Sequence, residues 1–287
     1  MHVFNRIPWR TKLWLLNASG MLYFAVLSFG ALAIGLLVTL PEVYRDDPDT
    51  LRSRKISALY VFTMLLLNYA CLRYYSKHSH VKADNCVLPR SSLRDEVRIC
   101  RSCEIPTPPR AKHCPLCDVC VLKRDHHCFF GGCCIGFYNQ RYFIVFCLYG
   151  TVGALYSSFV TFSYLGNHYG NILSSQFYMF LMPWVLWYLW MGHISVKIVA
   201  MVIFSYFNIL TFLACLYYFT SQCFLLWQGQ TSYEYVKGLK HYCYSLGENL
   251  RSVFGPFWFL NFLVPLPFLK STGNGMDWRV VHGFKQM

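Results

Sequence analysis

The chain has 287 residues, of which 55% are hydrophobic, 18% aromatic and only 14% charged, and its formal net charge is +13. A soluble domain is about one quarter charged, so these proportions exclude an ordinary water-soluble globule. The basic residues sit beside apolar runs, which suits attraction to an anionic cytosolic leaflet and argues against nucleic-acid binding as the source of the charge.

In chain order, a short basic start (Arg6, Arg10, Lys12) leads into Leu13–Leu40, which carries no charge. This exceeds the ~20 residues that span a bilayer. A cleaved signal peptide has an apolar core of only ~7–15 residues, so the stretch is read as a retained helix. Asn17-Ala18-Ser19 is formally a glycosylation triplet, but its place at the cytosolic end of the helix predicts that it is unused. Pro41–Lys55 is a charged connection, and Ile56–Tyr75 is the second span. From Arg73 to Arg141 Lys plus Arg outnumber Asp plus Glu by twelve to six. The positive-inside rule therefore puts this segment and the amino terminus in the cytosol, and Pro41–Lys55 in the lumen.

Tyr142–Leu165 is the third span and Val199–Trp227 the fourth. Between them Gly166–Gln176 lacks Lys, Arg, Asp and Glu, and Phe177–Met191 is apolar but short and interrupted by Pro183. That length predicts an interfacial or re-entrant piece on the lumenal side, not a crossing. Two crossings after the central segment return the basic carboxyl-terminal region to the cytosol. There Thr231-Ser232-Tyr233-Glu234 has the pattern of a capped helix start. Pro256–Leu269 is apolar and expected to lie on the membrane or against the helices.

The segment from Cys100 to Phe143 holds eight of the 14 cysteines and three of the 10 histidines. Its spacing suits reduced, metal-binding thiols, not a secreted disulfide framework. Structural zinc takes four thiolate or imidazole ligands, and C-x2-C turns supply two at a time. Two closed Cys3His sites would consume six cysteines and two histidines and leave two cysteines over. A purely scaffolding zinc module is one reading. The other starts from Cys128, which follows Asp125-His126-His127. A thiol becomes a strong nucleophile beside a base or cation, and a carboxylate can orient that base.

This segment, with Arg110 before His113, Cys134-Ile135-Gly136 and Asn139, closely resembles the cysteine-rich domain of the DHHC family of protein S-acyltransferases. The resemblance implies that Cys128 is the acyl-accepting nucleophile, His126 its base and Asp125 the residue orienting His126. It also implies one zinc on Cys100, Cys103, His113 and Cys120, and a second on Cys114, Cys117, His127 and Cys134. Thr231-Ser232-Tyr233-Glu234 is similar to the family's TTxE motif, with Ser for the second Thr. Asn249-x3-Val253-Phe254-Gly255 is similar to its carboxyl-terminal motif, in which the Asn braces local backbone. The departures are Phe129-Phe130 where the family has Pro-Trp, Cys133 where it has Asn, and no Asp-Pro-Gly after the second span, Ala83-Asp84-Asn85 being at best a remnant.

The expected architecture is an all-α integral membrane protein: four transmembrane helices with a small cytosolic double-zinc cysteine-rich domain between helices 2 and 3. Residues 1–75 form the amino terminus and helices 1 and 2, 76–141 the catalytic domain, 142–227 helices 3 and 4 with the interfacial piece near 177–191, and 228–287 a cytosolic region. The expected activity is transfer of a palmitoyl group from acyl-CoA to cysteines of membrane-associated proteins, at the endoplasmic reticulum or Golgi. Arg110, Lys112, Lys123 and Arg124 are candidates for the CoA phosphates, with solvated surface charge as the default for each. Cys133 is expected to be a small buried hydrophobe. A catalytically impaired, zinc-organised membrane adaptor of the same fold is the alternative. A transporter would carry inward-facing ionisable groups in its spans, and only Lys197 comes near.

Overall fold

The computed structural model describes residues 8–82, 98–242, 244–268 and 271–278. Ala83-Asp84-Asn85, the first basic residue Arg6 and the terminal basic residues Arg279 and Lys285 lie outside them. The chain is mostly helical, with four helices long and apolar enough to cross a membrane: Trp9–Val43, Pro48–Ser79, Gln140–His168 and Val196–Gln228. It is an integral membrane protein of the expected class.

Helix α1 (Trp9–Ile34) continues through a π turn, Gly35–Thr39, into one further helical turn, Leu40–Val43. Pro41 offers no N–H to the ladder, and just before it Leu40 N–H reaches back five residues to the Gly35 carbonyl. The proline thus explains the local widening. Helix α2 (Pro48–Ser76) starts on an acidic cap, where Asp47 accepts from Thr50 N–H at 3.0 Å. Pro48 occupies the first turn, where no donor is needed. Helix α3 spans Gln140–His168 and α5 Val196–Gln228. Between them α4 (Met182–Trp190) has nine residues, about 14 Å of helix against a hydrocarbon core of ~30 Å. It cannot cross alone. Helices α6 (Ser232–Val236) and α7 (Leu246–Phe254) follow, each opened by a capping box: Thr231 with Glu234, and Ser245 with Glu248.

The chain divides into two compact units, residues 1–24, 66–146 and 219–287 in one, and 25–65 and 147–218 in the other. Each long helix contributes to both. In the second unit the core is Tyr164 and Leu165 of α3, Phe180 and Val185 of the short segment, and Ile198, Val199 and Val202 of α5. Lipid tails are as apolar as these side chains, so packing, not water exclusion, holds them together. Trp184, Trp187 and Trp190 remain exposed on α4.

The first unit contains the cysteine-rich region as three small antiparallel pairs: β1 (Arg98–Ile99) with β2 (Pro106–Thr107), β3 (Lys112–Cys114) with β4 (Val119–Val121), and β5 (His127–Cys128) with β6 (Cys133–Cys134). These strands are too short to be stable alone. One buried amide ties them to the helices. Asn139 accepts from Gly136 N–H at 2.8 Å and donates to the carbonyls of Cys134 at 2.9 Å and Leu72 at 3.1 Å. It thereby links the last cysteine loop, the end of α2 and the start of α3. Gly136 is held so closely that a Cβ there would lie 2.7 Å from Val121 and 2.8 Å from the Leu122 carbonyl.

Asn139→Ala strands three buried backbone groups at once and is expected to cost roughly 2–4 kcal/mol. The check is the melting temperature of the purified protein, and an unchanged melt would remove Asn139 from this framework.

Candidate functional site

The register of the small hairpins sorts the cysteines. In β3–β4 His113 stands opposite Cys120 and Cys114 opposite Val119. Neighbouring residues on a strand point to opposite faces, so His113 and Cys114 serve different clusters. In β5–β6 His127 pairs with Cys134, and Cys128 with Cys133. The same alternation sends His127 and Cys134 to one side and Cys128 with Cys133 to the other.

The ligand atoms of Cys100, Cys103, His113 and Cys120 lie within 4.8 Å of one another, as do those of Cys114, Cys117, His127 and Cys134. In the first cluster Cys103 Sγ is 3.2 Å from His113 Nδ1 and 3.7 Å from Cys120 Sγ. In the second, Cys117 Sγ is 3.2 Å from His127 Nδ1 and 3.6 Å from Cys134 Sγ, and Cys134 Sγ is 3.7 Å from that nitrogen. The edges of a tetrahedron built on zinc bonds to sulfur and nitrogen are ~3.6–3.8 Å. Both clusters fit a zinc ion. His127 Nε2–H donates to Asn17 Oδ1 of α1 at 3.1 Å, which fixes Nδ1 as the ligand atom. Arg124 Nη2 donates to Cys114 Sγ at 3.7 Å. Asn17, read from sequence only as an unused glycosylation triplet, is therefore part of the support of the second cluster.

Cys128 and Cys133 belong to neither cluster among the described residues. Cys128 is buried, and its Sγ accepts from Gly131 N–H at 3.4 Å. Cys133 is half-buried, not the fully buried side chain expected, and burial pushes its thiol up to about 11. The turn between them is clamped by α1 and α2. Tyr69 donates to the Phe130 carbonyl at 3.1 Å and Arg73 to the Gly131 carbonyl at 2.9 Å. Gly20 lies so near that a Cβ there would be 2.7 Å from the Phe129 carbonyl oxygen. Phe129 and Phe130, the departure from the family pattern, are partly exposed, and Phe130 packs 5.9 Å from the Tyr23 ring.

His126 Nδ1–H donates to Asp125 Oδ2 at 2.7 Å. Asp125 is only 3% exposed. It also accepts from Ser232 N–H at 2.5 Å, Ser232 Oγ at 3.0 Å and Gln222 Nε2 at 2.7 Å. Burial works against its charge, but these donors and His126 hold the carboxyl below its ordinary range. Burial likewise pulls His126 down, yet the bond to Asp125 and the adjacent Cys128 outweigh it and push His126 up to about 9. The arrangement sets His126, raised toward its charged form, between the Asp125 carboxylate and the Cys128 sulfur. Ser232 thus caps nothing by its side chain; it grips Asp125 while Thr231 does the capping, so the two sequence readings of this tetrad hold together.

The basic residues differ from expectation. Arg110 and Lys123 are each 6% exposed, not solvated. Arg110 makes a two-pronged ion pair with Glu234, at 2.7 and 2.6 Å, donates to the Gly229 carbonyl at 3.0 Å and lies over the rings of Tyr242 and Trp278. Its Nε and Nη2 donors are thus committed to protein partners. The Lys123 ammonium lies over Trp278, and burial lowers it to about 7. Lys112 sits over Tyr233. Asn249 donates to the carbonyls of Tyr244 and Trp227 at 3.2 and 3.4 Å, the backbone bracing expected of it. Gln222 and Gln140 escaped sequence reasoning. For Gln222 the available signal was an amide inside an apolar run, since a polar group in a span needs a buried partner.

A family model described as DHHC palmitoyltransferase matches residues 93–239. The chain is 31% identical over 279 residues to palmitoyltransferase ZDHHC22 of Danio rerio, covering 96% of this chain and 99% of that protein. It is 30% identical to palmitoyltransferase ZDHHC22 of Homo sapiens over 261 residues, 88% and 93% of the two chains. It is also 32% identical to probable palmitoyltransferase ZDHHC24 of Mus musculus over 187 residues, 63% of each.

Elemental analysis of the purified protein is expected to give two zinc ions per chain, and His127→Ala to lower that number and disorder the loop bearing Cys128. Two ions retained in His127→Ala would break the ligand partition. The charged Asp125–His126 pair has its own pH signature. His126 is raised, so its contribution to stability is complete below the ordinary histidine value of ~6.5 and is lost as pH rises through about 9. The difference in melting temperature between wild type and Asp125→Asn should therefore shrink across pH 9. A pH-independent difference would contradict the ion pair.

Proposed function

Since the chain belongs to the DHHC palmitoyltransferase family, we propose that it is a protein S-acyltransferase that moves a long-chain acyl group from acyl-CoA to cysteines of membrane-associated proteins through a thioester on Cys128. The observation that carries this reading is a sulfur excluded from both metal clusters and placed beside an imidazole that a buried carboxylate grips. Zinc would be held by Cys100, Cys103, His113 and Cys120 and by Cys114, Cys117, His127 and Cys134, and would supply rigidity, since four protein ligands make a closed structural site.

In the first step the Cys128 thiolate attacks the thioester carbonyl carbon. A carbon–sulfur bond forms to Cys128, the bond to the CoA sulfur breaks, and His126 gives its proton to the departing thiolate. In the second step His126 takes the proton of a target cysteine, whose sulfur attacks the acyl carbon and releases Cys128 as thiolate. Thioester exchange is nearly balanced, so the rate depends on thiolate supply, positioning and exclusion of water. Asp125 holds the imidazole in orientation and stabilises its charge without changing protonation. The acyl chain gains ~0.8 kcal/mol per buried CH2, which favours a site beside the lipid boundary. We place the amino terminus, the cysteine-rich domain and the carboxyl-terminal region in the cytosol, on the positive-inside rule and the need for reduced thiols. An endoplasmic reticulum or Golgi address follows from the family resemblance.

Incubation with a palmitoyl-CoA probe is expected to label the wild-type protein at a hydroxylamine-sensitive bond and to leave Cys128→Ser unlabelled. Label persisting in Cys128→Ser would end the assignment of the nucleophile. Absence of label on wild-type protein that carries both zinc ions would favour the adaptor reading.

A further inference from the structure

We infer that Gln222, held in turn by Gln140, is a positioning residue that fixes the catalytic carboxylate from the last membrane helix. The inference rests on the acyltransferase reading and names a residue in that site with no role assigned above. Gln222 is 2% exposed, near the end of α5, and Gln140, also 2% exposed, opens α3. Burying an amide in an apolar setting is costly unless its hydrogen bonds are made. Here they are. Gln222 Nε2 donates to Asp125 Oδ2 at 2.7 Å, and Gln222 Oε1 accepts from Gln140 Nε2 at 3.2 Å.

The direction of this chain is dictated by chemistry. An ionised carboxylate only accepts, so the amide must present its NH2 to Asp125 and its oxygen to Gln140. Gln222 acts on the oxygen that His126 uses. Oδ2 receives His126 Nδ1–H, Gln222 Nε2–H and Ser232 Oγ–H, whereas Oδ1 receives Ser232 N–H. Ser232 and its backbone anchor the carboxylate from the segment after α5. Gln222 adds a second anchor on α5 itself and prevents the carboxylate from turning about its soft terminal torsion. The histidine that faces Cys128 is thus oriented through two carbonyl–amide links that begin on α3. Gln222 touches neither substrate nor sulfur and acts only through Asp125.

The test uses the full-length protein in detergent micelles, with Gln222→Met, Gln222→Glu and Gln140→Met, and with Cys223→Ala as an exposed control on the same helix. Methionine keeps the length and removes the donor. Loss of a hydrogen bond to a buried charged group corresponds to about a tenfold or greater fall in rate. The expected result for Gln222→Met is that fall in the saturated acylation rate, with an unchanged half-saturating palmitoyl-CoA concentration and two zinc ions retained. Gln222→Glu should fall further, because two carboxylates then face each other. Gln140→Met should fall in the same direction by a smaller factor. A second readout needs no acylation. In protein labelled with nitrogen-15 histidine, the His126 Nδ1 signal, assigned by its loss in His126→Gln, should move in Gln222→Met and stay fixed in Cys223→Ala. If the wild type takes up no acyl group, the acyltransferase reading falls while this spectrum still decides the positioning role. A wild-type Nδ1 signal in Gln222→Met would overturn the inference, and so would a loss of rate that only follows loss of zinc.

Discussion

The structure depends on a two-residue alternation in one small hairpin. His127 and Cys128 are adjacent, so a strand must send them to opposite faces, and their partners Cys134 and Cys133 follow suit. One face contributes two residues to a metal-ligand cluster, and the other carries the two sulfurs left over, Cys128 and Cys133. A register slip of one residue would send His127 and Cys128 to exchanged faces. The interleaved clusters hold that register, because the second takes ligands from β3, β5 and β6 together with Cys117.

A second constraint is the placing of charge away from water. Asp125, Arg110 and Glu234 are all buried. Each would be expensive alone, and each is surrounded by the groups that make it tolerable. Asp125 is met by an imidazole, an amide, a hydroxyl and a backbone N–H. Glu234 completes the capping box at Thr231 and at the same time receives both prongs of Arg110. The TTxE-like tetrad thus has two tasks: its serine grips Asp125, and its glutamate anchors the same turn to the cysteine-rich region.

Much of this was legible from residues. Four spans follow from runs that no soluble fold would expose, and the metal clusters follow from the spacing of thiols and imidazoles once the family resemblance divides them. The fates of Asn17 and the basic residues were not legible. Asn17 looked like a glycosylation triplet because its partner, His127, is 110 residues away. Arg110 looked like a surface charge because Glu234 lies 124 residues on and the covering rings of Tyr242 and Trp278 lie beyond that. Local sequence carries no record of such distant pairings.

The sequence by itself determined the class of the molecule, the number of helices long enough to cross a membrane and the stock of candidate metal ligands, because hydrophobic length and metal spacing are local properties read over tens of residues. The tertiary structure decided which cations are spent on buried partners and which amides reach Asp125. Those outcomes depend on strand register and on side chains meeting across four segments of chain, where a difference of one residue or a few ångströms reverses the result.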